Sequence, residues 1–151
     1  MAASSDVVSG DPLVGHHFVV EIGAITGYFI SCSGMGSETA TIDHKIVSGG
    51  TLSIDRKIPG RLSWGDITLR RGVTTNLDFW EWRKQVRDGG VAAARQDGSI
   101  IMYDQEGTEI ARWNFERAWP VSITGPDVTS DGDEIAMEEV VIAHEYIERV
   151  T

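Results

Sequence analysis

The chain has 151 residues, enough for one ordinary domain whose folding removes about two-thirds of its extended-chain surface from water. Its 41% hydrophobic composition supplies a core, and a net charge of −10 argues against nucleic-acid binding, which needs Lys and Arg on phosphate. The single cysteine, Cys32, rules out an internal disulfide, and no run of about 18 apolar residues is present to span a membrane as a helix.

Charge is segregated along the chain. Residues 56–95 hold nine basic and four acidic side chains, whereas the remainder holds four basic and nineteen acidic. A basic middle with acidic flanks suits head-to-tail association of identical copies; a solvated surface with chance clustering is the plainer reading. No charged start followed by an apolar stretch reads as a signal peptide, so folding in the cytoplasm is expected.

Met1 to Gly10 are small and polar and read as a loose arm. His16 to Ile22 and Ala24 to Ser31 read as strands turning at Gly23, and Ser37 to Val47, rich in Thr, Ile and Val, as a third. Ser48 to Gly65 is dense in Gly, Pro and Ser and reads as a long loop, of the kind that is usually functional or mobile. Asp66 to Val73 returns to strand. Asn76 to Asp88 is the one convincing helix, capped by Thr75 or Asn76 and ended by Gly89 and Gly90. At 100° per residue, Phe79, Trp82 and Val86 share one face, and Leu77 and Trp80 point nearly opposite. That second apolar stripe suits a loop or a neighbouring molecule, unless the helix is simply sunk deep in its own domain.

Ser99 to Asp104 and Thr108 to Phe115 read as a hairpin around Gln105-Glu106-Gly107, followed by a short strand at Trp119 to Thr124. Glu134 to Glu148 mixes helix formers with a Val140-Val141-Ile142 cluster. As one strand of fifteen residues it spans roughly 50 Å, long for a single domain. The expected class is mainly β.

Catalytic and metal chemistry find no foothold. His16 and His17 are adjacent and point apart on a strand, and no Cys/His spacing fits zinc. Ser33-Gly34-Met35-Gly36-Ser37 lacks the third glycine and the following helix of a dinucleotide fingerprint. Glu138 and Glu139, as strand neighbours, face opposite ways and cannot act as an acid pair. Cys32 reads as a small buried thiol, and the five tryptophans as core or interface anchors. No cofactor, metal or catalytic residue is assigned.

Several segments, in order, resemble one family, the tail-tube (inner-tube) proteins of contractile phage tails and contractile injection systems. Asp11 to Ile22 is similar to its opening strand, and Phe29 to Gly34 to its F-x-x-x-S-G turn. Arg56-Lys57-Ile58-Pro59-Gly60-Arg61 followed by Ile67 to Thr74 is the most specific match. The helix around Leu77 to Arg83, then Ala111 to Phe115, Ala118-Trp119-Pro120, Gly125-Pro126-Asp127 and Ala143-His144-Glu145 complete it. Small departures are the extra residues before Asp11 and the Gly49-Gly50 pair.

The resemblance implies two packed antiparallel sheets forming a barrel-like sandwich with one flanking helix. It implies a structural subunit: six copies make a ring, rings stack into a hollow tube, and a sheath drives the tube through a target envelope. Its partners are then other copies of itself, the sheath, baseplate and tube-end proteins, with protein or DNA cargo in the lumen. Within that frame Arg56, Lys57, Arg61 and Trp64 of the long loop are expected at the neighbouring ring, with Leu77 and Trp80 as further subunit contacts. Glu138, Glu139 and Glu145 are expected to face the lumen or the sheath. The alternatives are a specialised baseplate-proximal or terminal copy, a small-molecule-binding β-barrel with its tryptophans around a pocket, and an enzyme with a cleft of perturbed acids.

Overall fold

The computed structural model describes residues 17–50, 52–128, 130 and 136–151, so the expected arm at residues 1–10 lies outside them. Ten strands and two helices follow in the order β1 (His17–Ile22), β2 (Ile25–Tyr28), β3 (Ser31–Ser33), β4 (Ser37–Ser48), β5 (Leu52–Trp64), β6 (Ile67–Gly72), α1 (Asp78–Arg87), α2 (Val91–Ala94), β7 (Gln96–Tyr103), β8 (Glu109–Thr124), β9 (Met137–Ala143) and β10 (Tyr146–Arg149). Pairing is antiparallel along the path β2-β1-β7-β8-β9-β6-β3, with β10 also on β8. The path ends at β2 and β3, which do not pair with each other, so the layers form a sandwich rather than a closed barrel.

One strand makes both layers. The first part of β8 pairs with β7 and β10, and its second part, from Trp119 to Thr124, pairs with β9. The strand turns between layers at Arg117, the one described non-glycine residue with positive φ (56°). The register there shifts by one residue, a β-bulge that adds twist and bend. The Arg117 amide donates to Asp97 Oδ1 (3.0 Å), which holds this unfavourable backbone in place. Sequence reading expects two strands at 108–115 and 119–124; the bulge lets them run as one. Pro120 is tolerated because β8 is by then an edge strand, where a missing N–H breaks no ladder.

The stretch Glu134–Glu148 is likewise corrected. Its described part is not a single long strand: β9 and β10 are separated by His144 and Glu145, facing the β8 bend. The break shifts the inward phase from Glu138, Val140 and Ile142 to Ile147, which is why the alternation looks imperfect on paper. Glu145 closes the corner. Its carboxylate accepts from Arg95 Nη1 and Arg117 Nε at 2.9 Å each, and its amide donates to the Glu116 carbonyl.

The core lies between the layers. Val20, Ile22, Ile100, Phe115 and Ile147 come from one side, Ile67, Leu69, Val140 and Ile142 from the other, and Phe79, Trp82 and Val86 from α1. Each such side chain contributes roughly 1.5–3 kcal/mol when fully buried. Helix α1 buries the face predicted from its periodicity. Asn76 Oδ1 accepts the Asp78 amide at 2.9 Å to start it, and Gly89 (φ 93°) ends it with the Gly90 amide returning to Gln85 O.

The largest correction concerns residues 48–65. They are not a loop: Leu52–Trp64 is a thirteen-residue strand paired with β4 in a two-stranded ribbon of its own. Gly and Pro mislead here because both strands are edges, so Pro59 costs no ladder bond, and the register shift opposite Thr39–Thr41 absorbs Gly60 and Arg61. Where the ribbon enters and leaves the body, Gly34 (φ 86°) runs against the Asp66 carbonyl, and the Gly65 amide donates to Gly36 O. A Cβ on Gly34 would overlap that carbonyl as well as strain the backbone. Gly34→Ala is therefore expected to destabilise the fold by about 2–4 kcal/mol in urea unfolding, against less than about 1 kcal/mol for Gly125→Ala, where a Cβ meets open space and the backbone is not left-handed.

Candidate assembly surfaces

The β4–β5 hairpin projects from the body. Twelve and thirteen residues of strand give it a reach of roughly 40 Å. Opposed residues share a face, so the register assigns every side chain. One face carries the pairs Ile42–Ile58, His44–Arg56 and Ile46–Ile54; the other carries Thr41–Pro59, Asp43–Lys57 and Lys45–Asp55. Ile42, Ile54 and Ile58 are 54%, 53% and 42% exposed. Apart from its foot, the hairpin packs extensively on no other described element.

The foot is well anchored. Trp64 is half-buried against the core, its ring 5.4 Å from Tyr146 and 6.1 Å from His144. His144 Nε2 donates to the Gly65 carbonyl at 2.9 Å, tying the strand that leaves the hairpin to the β9–β10 break. Burial pushes the His144 imidazole below its ordinary value, and the Gly65 carbonyl and Asp66 offset this only in part.

A second surface lies on α1. Leu77 (58% exposed) and Trp80 (41%) face outward. Trp80 is not free to swing, because its indole N–H donates to Glu138 Oε2 at 3.0 Å. Glu138 pairs through Oε1 with Arg71 Nε (2.5 Å), and both side chains are at least nine-tenths buried. The two stand opposite each other on β9 and β6, on the inward faces of both strands. The Arg71 guanidinium lies over the Phe79 ring (4.7 Å to the centroid) and near Phe29 (5.7 Å). Each ion's desolvation is thus offset by its partner, by the rings and by the indole.

Expected site residues divide accordingly. Arg56, Lys57 and Arg61 are exposed on β5, and Trp64 sits at its foot. Leu77 and Trp80 share the helix surface. Glu138 is corrected: it points into the core and is consumed by Arg71, so it faces no lumen or sheath. Glu139 stays on the surface, 3.7 Å from Arg70, and Glu145 is held in the corner by Arg95 and Arg117. Sequence reading misses the isoleucine ladder, although Ile42-x-His44-x-Ile46 and Ile54-x-Arg56-x-Ile58 carry its period of two. It also misses the Arg71–Glu138 pair, which joins residues distant along the chain.

Ligand chemistry has little to work with among the described residues. No group of three or more His, Cys, Asp or Glu converges to hold a metal ion, and no helix is long and apolar enough to cross a membrane. Burial pushes the Cys32 thiol up to about 12, which leaves it a poor nucleophile. Trp82 lies in the core, Trp64, Trp113 and Trp119 pack against it, and Trp80 is exposed.

The family model of the T4-like virus tail tube protein gp19 matches residues 14–148. Among solved structures, the chain is similar to one in the sheath-tube complex of PVC, an extracellular contractile injection system, in its extended state. That match has 24% identity, covers 99% of both chains and has a TM-score of 0.85. A chain from the anti-feeding prophage cap matches at 27% identity over 100% of this chain and 99% of that one (TM-score 0.82). Hcp1 from Flavobacterium johnsoniae matches at 14% identity over 88% and 94% (TM-score 0.58), a likeness of fold. No curated protein matches the sequence.

Two outcomes are expected from these contacts. Arg71→Met or Glu138→Leu alone strands a buried charge and should cost about 3–5 kcal/mol in urea unfolding, whereas the double replacement should recover much of that loss. For His144, the unfolded chain takes up its proton first as pH falls through 6.5, while the buried ring resists. Native stability should therefore drop as pH falls below 6.5 and level off below the folded value. His144→Gln should remove that component when unfolding free energies are compared between pH 5 and 8.

Proposed function

The chain belongs to the T4-like virus tail tube protein family, and from this we propose that it is the inner-tube subunit of a contractile injection system. The observation that carries the reading is the extent of the family match, which runs through both layers, the hairpin and the helix. Six copies would close a ring, and rings would stack into a hollow tube inside a contractile sheath. The resemblance to a chain of a sheath-tube complex over 99% of both chains supports this.

The chain's own chemistry agrees with a structural role. A two-stranded ribbon with an exposed apolar face is marginal alone in water and gains stability when another chain covers it. The path of strands leaves β2 and β3 as open edges, which neighbouring copies can pair or cover. Arg56, Lys57 and Arg61 on the ribbon are our candidates for contact with the next ring. Glu139 and Glu145 are candidates for the lumen or the sheath side, where acid would keep DNA or acidic cargo from adhering. Sheath, baseplate and tube-end proteins are the implied partners, with assembly in the cytoplasm and no catalytic activity of its own. A terminal copy is the second reading, favoured by the 27% identity to a chain of a tube-terminating cap.

Negative-stain electron microscopy with sedimentation tests the reading. Rings or tubes with six-fold end views are expected, and a monomer that neither polymerises nor adds to baseplates would count against it. Arg56→Glu with Lys57→Glu should abolish polymerisation and leave a folded monomer with an unchanged unfolding midpoint. Normal tubes from that variant would remove the hairpin from the interface.

A further inference from the structure

We propose that His144 latches the β4–β5 hairpin to the body: its neutral ring fixes the strand that leaves the hairpin, and protonation of the ring in acid releases the hairpin root. The device belongs to the single chain and goes beyond the tube reading. His144 sits in the break between β9 and β10, where neither strand claims it. Its ring is 8% exposed, with Trp64 at 6.1 Å and Phe115 at 6.3 Å between ring centroids. Nε2 donates to the Gly65 carbonyl at 2.9 Å. Nδ1 is buried and meets no hydrogen-bond partner among the described residues.

That orphaned nitrogen makes the latch sensitive to acid. A bare lone pair against aromatic carbon is tolerable. A second N–H there, on a ring that has also gained a charge, finds no acceptor in hydrogen-bond geometry. The ionisable groups around the ring do not reverse this. β5 presents Trp64 and β8 presents Phe115, neither of which titrates. Asp66, after β5, favours the charged ring, but burial outweighs it. On β10 the Tyr146 hydroxyl is bound to Glu148 at 2.7 Å, and Glu116 of β8 stands opposite Tyr146. The adjoining Glu145 is held by Arg95 and Arg117.

The root is built to move without the core. Gly34 and Gly36 lie on the chain entering the hairpin and Gly65 on the chain leaving it, and Gly36 has open space around it. The Gly65 amide donates to Gly36 O, so the two crossings are tied to each other, and His144 and the Trp64 ring tie them to the body. Beyond this foot the hairpin packs extensively on no other described element. Opening the root lets water reach the imidazole while Ile67, Leu69, Val140 and Ile142 stay packed.

Hydrogen exchange of the full chain, kept dilute as single subunits and read by mass spectrometry at pH 7.5 and 5, tests the latch. After correction for intrinsic rates, protection across residues 61–66 should fall about fivefold or more in acid, setting in as pH drops through 6.5, with residues 67–72 and 137–143 unchanged. His144→Gln keeps a donor for Gly65 but cannot ionise, and should remove the acid loss. Asp66→Asn withdraws a charge that favours imidazolium, and should enlarge it. Protection at the root that is indifferent to pH, or that falls equally in His144→Gln, would overturn the latch. So would a loss shared in step by residues 67–72 and 137–143, since His144 would then act only on the whole fold.

Discussion

The buried pair Arg71–Glu138 is the contact on which the rest of the architecture leans. It joins the inward faces of β6 and β9, carries the aromatic floor of α1 on the guanidinium, and holds the outward Trp80 through the second carboxylate oxygen. Charge this deep is costly unless every polar edge is met, and here it is met from four sides. A pair of this kind adds less net stability than an apolar pair of equal volume, but it tolerates few alternative registers. A slip of one residue between β6 and β9 would strand both ions, so the pair specifies alignment as much as it contributes energy.

The second constraint is the corner. A sandwich built from one continuous strand path must turn somewhere, and β8 does so at Arg117, where its partner strands β9 and β10 are also separated. Arg95, Arg117 and Glu145 bind the two bends together, with Asp97 holding the unfavourable backbone. The hairpin foot lies near this corner, since His144, next to Glu145, reaches Gly65. Placement of the projecting ribbon is thus coupled to the point where the two layers meet.

Much was legible from residue order alone. Helix α1, its buried face and its outward Leu77 and Trp80 follow from a 3.6-residue period interrupted by glycine. The β content follows from alternation and β-branched clusters, and the family follows from ordered segments over most of the chain. The alternation at Glu138 and Glu139 correctly sent them to opposite faces, but could not say which pointed inward.

What the amino-acid order determined by itself is therefore local: which segments extend, which one coils, and which kinship they carry, because backbone preference and side-chain period act over a few neighbours. Only the tertiary structure decided that Ser48–Gly65 extends as half of a ribbon, since edge strands excuse the glycines and proline that read as loop. Only it decided that residues 108–124 run as one bent strand, and that Glu138 is buried against Arg71. Those outcomes depend on partners distant in the chain, and it is the partner across the sheet that decides whether a proline is harmless, a bulge useful or a carboxylate affordable.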